Sequence, residues 1–201
     1  MHSTVELALI RQNLRKSSLH REFQTKSKNE LSPVNNDRVI NMVACLELEH
    51  IPSQTFIVLL GTHLKSKQPF AKDRSEQTNV ICQFINEHYS KHSHILLLGD
   101  FNGEPIEPFY NQILSTGLLS AYNTLLDHEP EFTTFKFRPG YNENDEKESC
   151  HTIDYIFYNP QGFHPLSYLS IPSKTEIGVN GLPSYEYPSD HLALATKFLI
   201  I

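Results

Sequence analysis

The stretch HILLLGDFNGEP, residues 94–105, joins an uncharged apolar run to a cluster of small polar residues. Residues 95–98 have the composition of a strand that is buried on both faces. Asp100 and Asn102 follow it, two residues apart, so an extended backbone would place both side chains on one face. Asp, Asn and Gly are also ordinary turn formers, so this stretch alone leaves open whether the strand simply ends here or holds a binding site.

The segments around this strand predict an α/β architecture. Two strands joined by a turn precede an amphipathic helix over about residues 71–89, and the strand over 94–98 follows the helix directly. A strand, a helix and a second strand with short links imply a parallel crossover unit. Further elements are a helix over 107–115, strands over 132–137, 151–158 and 192–200, and a polar surface loop over 24–38.

Composition narrows the class of protein. The 201 residues suffice for one well-buried domain, and the net charge of −6 argues against binding nucleic acid mainly by bulk electrostatics. No apolar stretch is long enough to span a bilayer. Cys45, Cys82 and Cys150 are widely spaced and odd in number, which is typical of free thiols in a reducing compartment. We therefore expect an intracellular protein, cytoplasmic or mitochondrial. The basic residues over 11–28 are typical of a transit peptide or of a solvated loop, and the loop is favoured because no apolar helical face accompanies them.

Polar residues collect at the predicted strand edges. The clusters are Thr62 and His63 with Lys65 and Lys67, Asp100 with Asn102, His151 with Asp154, and Asp190 with His191. Each cluster alone also fits a structural role. A carboxylate inside an apolar strand is costly unless it is paired, so Asp154 is expected to contact a histidine or a metal ion. His191 is the favoured partner, since a carboxylate can orient an imidazole and raise its basicity.

Two chemistries suit these side chains. Asp100 and Asn102 carry hard oxygen atoms, which suit Mg²⁺ or the positioning of a water molecule. A histidine beside a metal can stabilise the charge that grows on oxygen during phosphoryl transfer. Neither GxSxG, nor a P-loop, nor HExxH occurs, so serine hydrolases, P-loop NTPases and zincins lack support.

Four strings in one order carry a family resemblance: THLKSK (62–67), LLLGDFNGEP (96–105), SCHTIDYIFY (149–158) and YPSDHLALATKF (187–198). Together they resemble the endonuclease/exonuclease/phosphatase superfamily, and within it the nocturnin family, over about residues 38–200. The resemblance implies a four-layer α/β sandwich and Mg²⁺-dependent hydrolysis of nucleotide phosphates. The implied substrate is the 2′-phosphate of NADP(H), with cleavage of poly(A) RNA from its 3′ end as the alternative.

The resemblance also implies roles for individual residues. Asp100 would position the attacking water, Asn102 would hold the phosphate or a metal-bound water, and His191, paired with Asp154, would contact the phosphoryl oxygens. His63 would stand on the other side of the scissile phosphate. The implied metal ligands for Mg²⁺ are Asp100, Asn102 and Asp190, and the implied substrate-binding residues are Lys65, Lys67 and Arg138.

One part of the family pattern is not found. The resemblance implies an early Asn and a metal-binding Glu in a QE string, and no QE string occurs in the sequence. We therefore expect residues 1–37 to form a poorly defined N-terminal segment and residues 38–201 to be the C-terminal part of the domain, so that the sandwich is incomplete at its N-terminus. Two readings stay open: an active hydrolase, or a catalytically inactive module that binds nucleotide.

Overall fold

The computed structural model describes residues 4–9, 23–30, 43–139 and 146–201, and for 4–9, 23–30, 138–139 and 146–147 only the backbone. The strands are β1 Thr4–Leu9, β2 Phe23–Glu30, β3 Ala44–His50, β4 Thr55–His63, β5 Ile95–Asp100, β6 Leu119–Ser120, β7 Thr134–Pro139, β8 Glu146–His151, β9 Asp154–Tyr158, β10 Phe163–Tyr168 and β11 Leu194–Ile200. The helices are α1 Ala71–Tyr89, α2 Pro108–Leu114, α3 Ala121–Leu126 and α4 Lys174–Ile177, with a short 3-10 helix at Gln68–Phe70.

A six-stranded mixed sheet forms the centre, in the order β2-β3-β4-β5-β9-β6. β4 and β5 are parallel and α1 connects them, which confirms the predicted crossover unit. The neighbours β9 and β3 run antiparallel to β5 and β4. Ile95, Leu96 and Leu97 of β5 are almost completely buried, as their uncharged sequence predicts.

Both faces of this sheet are covered. On one face, α1 and α2 contribute Ile81 and Phe109 to a core that includes Leu97 of β5. On the other face, a three-stranded sheet in the order β1-β11-β10 contributes Phe198, which packs in one cluster with Leu96. A helical layer and two sheets therefore stack in order, which confirms an α/β sandwich; the described residues give these three of the four layers that the family resemblance implies.

Some elements differ from the sequence-based expectation. The backbone of β2 pairs antiparallel with β3, where a surface loop over 24–38 was expected; residues 31–38 lie outside the described part of the chain. The physical reason is that a strand at a sheet edge needs only backbone partners on one side and tolerates polar residues. The sequence patterns also gave no indication of α3 or β10. The division of the chain at residues 37 and 38 stays a prediction. None of the helices in the described part of the chain is long and apolar enough to cross a bilayer.

Candidate active site

Strand register aligns three polar side chains at one end of the central sheet. Asp100, the last residue of β5, pairs with His63 across the parallel ladder and with Asp154 across the antiparallel one. Gly99 allows the close approach of β4, because an added Cβ would lie 1.9 Å from the carbonyl oxygen of Thr62. The apolar strand therefore carries Asp100 to the site and places it between a histidine and a second carboxylate.

Asp154 and His191 form a buried hydrogen-bonded pair. The imidazole Nδ1 lies 2.8 Å from Asp154 Oδ2, and both residues are less than 9% exposed. The hydroxyl of Thr133 donates to the same carboxylate oxygen at 2.7 Å. The bond between His191 Nδ1 and Asp154 Oδ2 holds that side of the imidazole ring against the carboxylate, so the opposite nitrogen, Nε2, faces the pocket.

Thr133 connects the segments that meet here, a role that the sequence gave no means to detect. Its hydroxyl accepts bonds from the backbone N–H groups of Ile153 and Asp154 at 3.0 and 3.2 Å. Its carbonyl accepts the N–H of Leu192 at 2.8 Å, which brings the His191 segment beside β9. One buried threonine thereby orients both members of the pair.

Asp100 has an unusual electrostatic environment. Its Oδ2 lies 3.5 Å from His63 Nε2 and 3.9 Å from His191 Nε2, and its Oδ1 accepts the backbone N–H of Asn102 at 2.9 Å. Burial first, and then the negative charge of Asp154, raise the pKa of Asp100, while His191, the Asn102 N–H and His63 act in the opposite direction. The ionised carboxylate is therefore held where a positive charge would stabilise it.

A pocket of about 280 Å³ opens at this end of the sheet. Polar side chains dominate its wall, in a set comprising His63, Ser66, Asp100, Asn102, Thr134, Lys136, Ser149, His151, Ile153, Asp190 and His191. Lys136 Nζ lies 3.0 Å from Asp190 Oδ2, and that oxygen lies 3.9 Å from His191 Nε2. The wall thus presents two aspartates, an asparagine and a lysine, a set suited to a phosphate and a divalent cation.

The oxygen donors fit a hard cation such as Mg²⁺. Asp100, Asn102 and Asp190 line the same pocket, and the side-chain N–H of Asn102 donates to the carbonyl of Leu64 at 3.0 Å, which leaves its carboxamide oxygen as the free acceptor. Asp100, Asp154 and His191 also bring ligand atoms within 4.8 Å of one another. Both sets contain Asp100. Asp154 Oδ2 already accepts bonds from Thr133 and His191, and Asp190 Oδ2 accepts one from Lys136.

Of the basic residues that the family resemblance implies for substrate binding, the two whose side chains the structure describes are not among those that line the pocket. Lys65 and Lys67 are exposed, and it is Ser66, between them, that lines the pocket. The ammonium of Lys65 lies 5.1 Å from the ring centroid of Phe70. Arg138 lies in β7, and its side chain lies outside the described part of the structure. Substrate contacts by these three residues stay predictions.

An ion pair that sequence reasoning missed lies beside the pocket, between the fully buried Arg74 and the partly buried Glu107. Arg74 Nε and Nη2 donate to the two oxygens of Glu107 at 2.8 and 2.7 Å, and Nη1 donates to the carbonyls of Lys65 and Lys67 at 3.0 and 2.8 Å. An arginine and a glutamate 33 positions apart give no sequence signal of contact. A second pair, His151 with Glu104 at 2.5 Å, is half-exposed at the pocket.

Comparison with known proteins places this site in a family. The sequence profile of the Endonuclease/Exonuclease/phosphatase family matches residues 67–191, more than half of the chain. Nocturnin from Drosophila melanogaster is 36% identical over 166 residues, which cover 70% of this chain and 25% of that protein. The chain spans about a quarter to a third of the length of the curated nocturnins that it matches.

Solved structures agree. The human nocturnin catalytic domain, determined with a bound sulfate anion, superposes with a TM-score of 0.68 at 26% identity and covers 90% of this chain and 61% of that domain. ANGEL2, a 2′,3′-cyclic phosphatase in complex with adenosine-2′,3′-vanadate, shares the fold with a TM-score of 0.70 at 22% identity, over 90% of this chain and 68% of that one. The match over residues 67–191, which include Asp100, Asp154 and His191, shows that the chain belongs to the endonuclease/exonuclease/phosphatase family.

Proposed function

We propose that the pocket hydrolyses phosphate esters of small nucleotides with Mg²⁺, and that its substrate is the 2′-phosphate of NADP(H). The observation that carries the proposal is the buried Asp154–His191 pair, whose imidazole Nε2 lies 3.9 Å from a carboxylate oxygen of both Asp100 and Asp190. The relatives that share this fold include a nocturnin and a 2′,3′-cyclic phosphatase. Nucleotide phosphate chemistry is the class that these observations support together.

Asp100, Asn102 and Asp190 would hold the metal ion. Bound Mg²⁺ would neutralise phosphate charge and increase the acidity of a coordinated water. Oxygens from water and from the substrate phosphate would have to supplement these three side chains, and an open pocket leaves room for them.

The residues around the phosphate divide the remaining work. The Asp100 carboxylate would accept a hydrogen bond from the attacking water and orient it toward phosphorus. His191, held at Nδ1 by Asp154, would donate from its protonated Nε2 to a phosphoryl oxygen as negative charge accumulates there. His63, beside Asp100, would contact the opposite side of the phosphate.

Two features favour a small nucleotide over long RNA. The pocket of about 280 Å³ is near the lower end of the range for small-molecule sites. The chain carries a net charge of −6, whereas surfaces that follow an RNA backbone are normally basic. The sulfate bound by the human nocturnin domain is an anion with the shape of phosphate, which further supports a phosphate subsite.

The test is inorganic phosphate release from NADPH by the purified chain, with Mg²⁺ and then with EDTA, alongside 3′-cleavage of an oligo(A) RNA. Release that EDTA stops, and that Asp100→Asn abolishes while Lys72→Met does not, is the expected result. Cleavage of oligo(A) without phosphate release would replace the proposal with the exoribonuclease alternative. NADPH binding by calorimetry, without either reaction, would identify a nucleotide-binding module that lacks activity.

A further inference from the structure

Arg74 is completely buried in the first turns of α1, with its guanidinium hydrogen-bonded to two different segments of the pocket wall. We propose that Arg74 and Glu107 are positioning residues that fix these two segments relative to each other and so set the width of the phosphate subsite. This inference rests on the proposed function, because the pair would hold the two segments at the spacing that phosphate hydrolysis requires. Neither residue lines the pocket itself.

The first segment follows β4 and contains Leu64 to Lys67. Arg74 Nη1 donates to the carbonyls of Lys65 and Lys67, on the two sides of Ser66, which lines the pocket. The backbone N–H of Lys65 donates to the side chain of Gln77, one turn further along α1, at 2.9 Å. Three hydrogen bonds therefore fasten this segment to one face of the helix, immediately after His63.

The second segment follows β5 and ends at Glu107. Both carboxylate oxygens of Glu107 accept from Arg74, and its backbone N–H donates to the carbonyl of Glu104 at 2.9 Å. Gly103 lies so close that an added Cβ would be 2.7 Å from Glu107 Oε2 and 3.0 Å from Arg74 Nε. The segment contains Asn102, which lines the pocket, so movement of Glu107 would be transmitted to the proposed metal ligand.

The energetics favour a geometric role. Desolvation of a buried ion pair offsets much of its Coulomb attraction, so such a pair contributes little to stability compared with apolar packing. Its planar fork of donors instead fixes distances and angles, which a lysine cannot reproduce. Since a misplacement of about 1 Å in a reacting group can lower a rate about 10²-fold, a rigid link between the two segments has a direct kinetic value.

The kinetic test compares wild type, Arg74→Lys and the control Lys72→Met, an exposed residue of the same helix. We expect Arg74→Lys to lower kcat for phosphate release from NADPH at least about tenfold while KM changes less than about threefold, because orientation is lost and binding groups remain. A folded Arg74→Lys protein with wild-type kcat would overturn the proposal. Lys72→Met should match wild type.

Amide hydrogen exchange tests the same inference without any activity. In the wild type, the amides of Lys65 and Glu107 should open with one common free energy, because one guanidinium holds both segments. In Arg74→Lys both should exchange at least about tenfold faster while Leu97 in β5 is unchanged. Independent opening of the two amides in the wild type would overturn the proposal, even if every variant failed to fold. A wild type inactive toward NADPH would reject the proposed function alone, and the exchange data would still decide this inference.

Discussion

The pocket has an inner group of buried residues and an outer group of more exposed ones. The inner group is less than 9% exposed at every residue and comprises Asp100, Asp154 and His191. The outer group comprises Lys136 and three residues whose side chains are close to half-exposed, Asp190, His151 and Glu104. Buried polar groups are costly unless each has a partner, so the inner group is held by a network that includes Thr133. Water can replace any partner in the outer group. The comparison teaches that the inner group determines the geometry of the site and the outer group adjusts its charge.

The largest effect is expected at Asp100. Asp100→Asn keeps the shape of the side chain but removes the charge that would bind the metal ion and orient water, so phosphate release should fall at least about 10³-fold. Steady-state kinetics with NADPH would measure it, with Lys72→Met as the control. Wild-type turnover in Asp100→Asn would mean that the inner group does not carry the chemistry.

The same substitution should stabilise the fold. The pKa of Asp100 is raised from its ordinary value of 3.8, so the folded state disfavours its ionised form. The contribution of Asp100 to the free energy of unfolding therefore decreases as the pH rises from 3.8 to above the raised pKa. Urea denaturation in EDTA should show Asp100→Asn to be more stable than wild type at neutral pH, with the difference disappearing below the ordinary pKa.

Gly99→Ala should damage the inner group through the backbone. The new Cβ would lie 1.9 Å from the carbonyl oxygen of Thr62, so β4 and β5 would have to separate at the Thr62–Gly99 pair, which is next to the pair of His63 and Asp100. We expect a loss of about 3 kcal/mol in the free energy of unfolding. Gly61→Ala, in the neighbouring strand β4, is the matched control, since nothing lies within 4 Å of its added Cβ. Equal stabilities for the two variants would contradict the close packing described here.

Thr133→Val tests the network that holds the inner group. The substitution keeps the shape but removes a hydroxyl that donates to Asp154 and accepts two backbone N–H groups. Buried groups left without a partner cost about 1–3 kcal/mol, so thermal unfolding should shift accordingly. Thr124→Val provides a comparison at an exposed position, because it removes a hydroxyl that donates to the Ser120 carbonyl and accepts from the Tyr158 hydroxyl. An undiminished melting temperature would show that water replaces Thr133.

A smaller effect is expected at Arg138. If Arg138 contacts the substrate phosphates as predicted, Arg138→Ala should raise KM for NADPH about tenfold and lower kcat much less, because uniform binding is lost. Initial rates over a range of NADPH concentrations would separate the two constants. An effect confined to kcat would instead place Arg138 in the chemical step and move it, in function, to the inner group.

The smallest effect is expected at Glu104. Its ion pair with His151 is half-exposed, and exposed pairs contribute about 0–1 kcal/mol. Glu104→Gln should therefore change the free energy of unfolding by less than about 0.5 kcal/mol in a urea titration. A loss several times larger would show that the outer group is also part of the structural network, and would remove the distinction drawn between the two groups.

Much of this arrangement follows from the sequence, and the rest does not for identifiable reasons. The apolar run before Asp100 predicts a central strand, and Asp154 inside a second apolar strand predicts the need for a partner, which the structure identifies as His191. Those inferences depend on local pattern and on the cost of burying charge. The ladder register that aligns His63 with Asp100 depends on tertiary pairing, which local pattern does not specify.

The residues that sequence reasoning missed share one property: their partners are distant along the chain. Thr133 contacts Asp154 across 21 positions, and Arg74 contacts Glu107 across 33. Threonine before a strand and arginine in an early helical turn are unremarkable in sequence, because such residues are usually solvated. The sequence also did not predict β2, because its polar segment becomes a strand only by pairing with the edge of β3.

The position of β11 in its sheet determines the order in which the molecule can be assembled. β11 pairs with β1 on one side and with β10 on the other, so Thr4 lies opposite Leu199, a residue 195 positions later (199 − 4). During synthesis β1 must wait for residues 194–200 before it gains this partner, and pairing over such a separation is slow. His191 is made only three positions before β11 begins, so its hydrogen bond to Asp154 cannot form until the chain after β10 has also been synthesised.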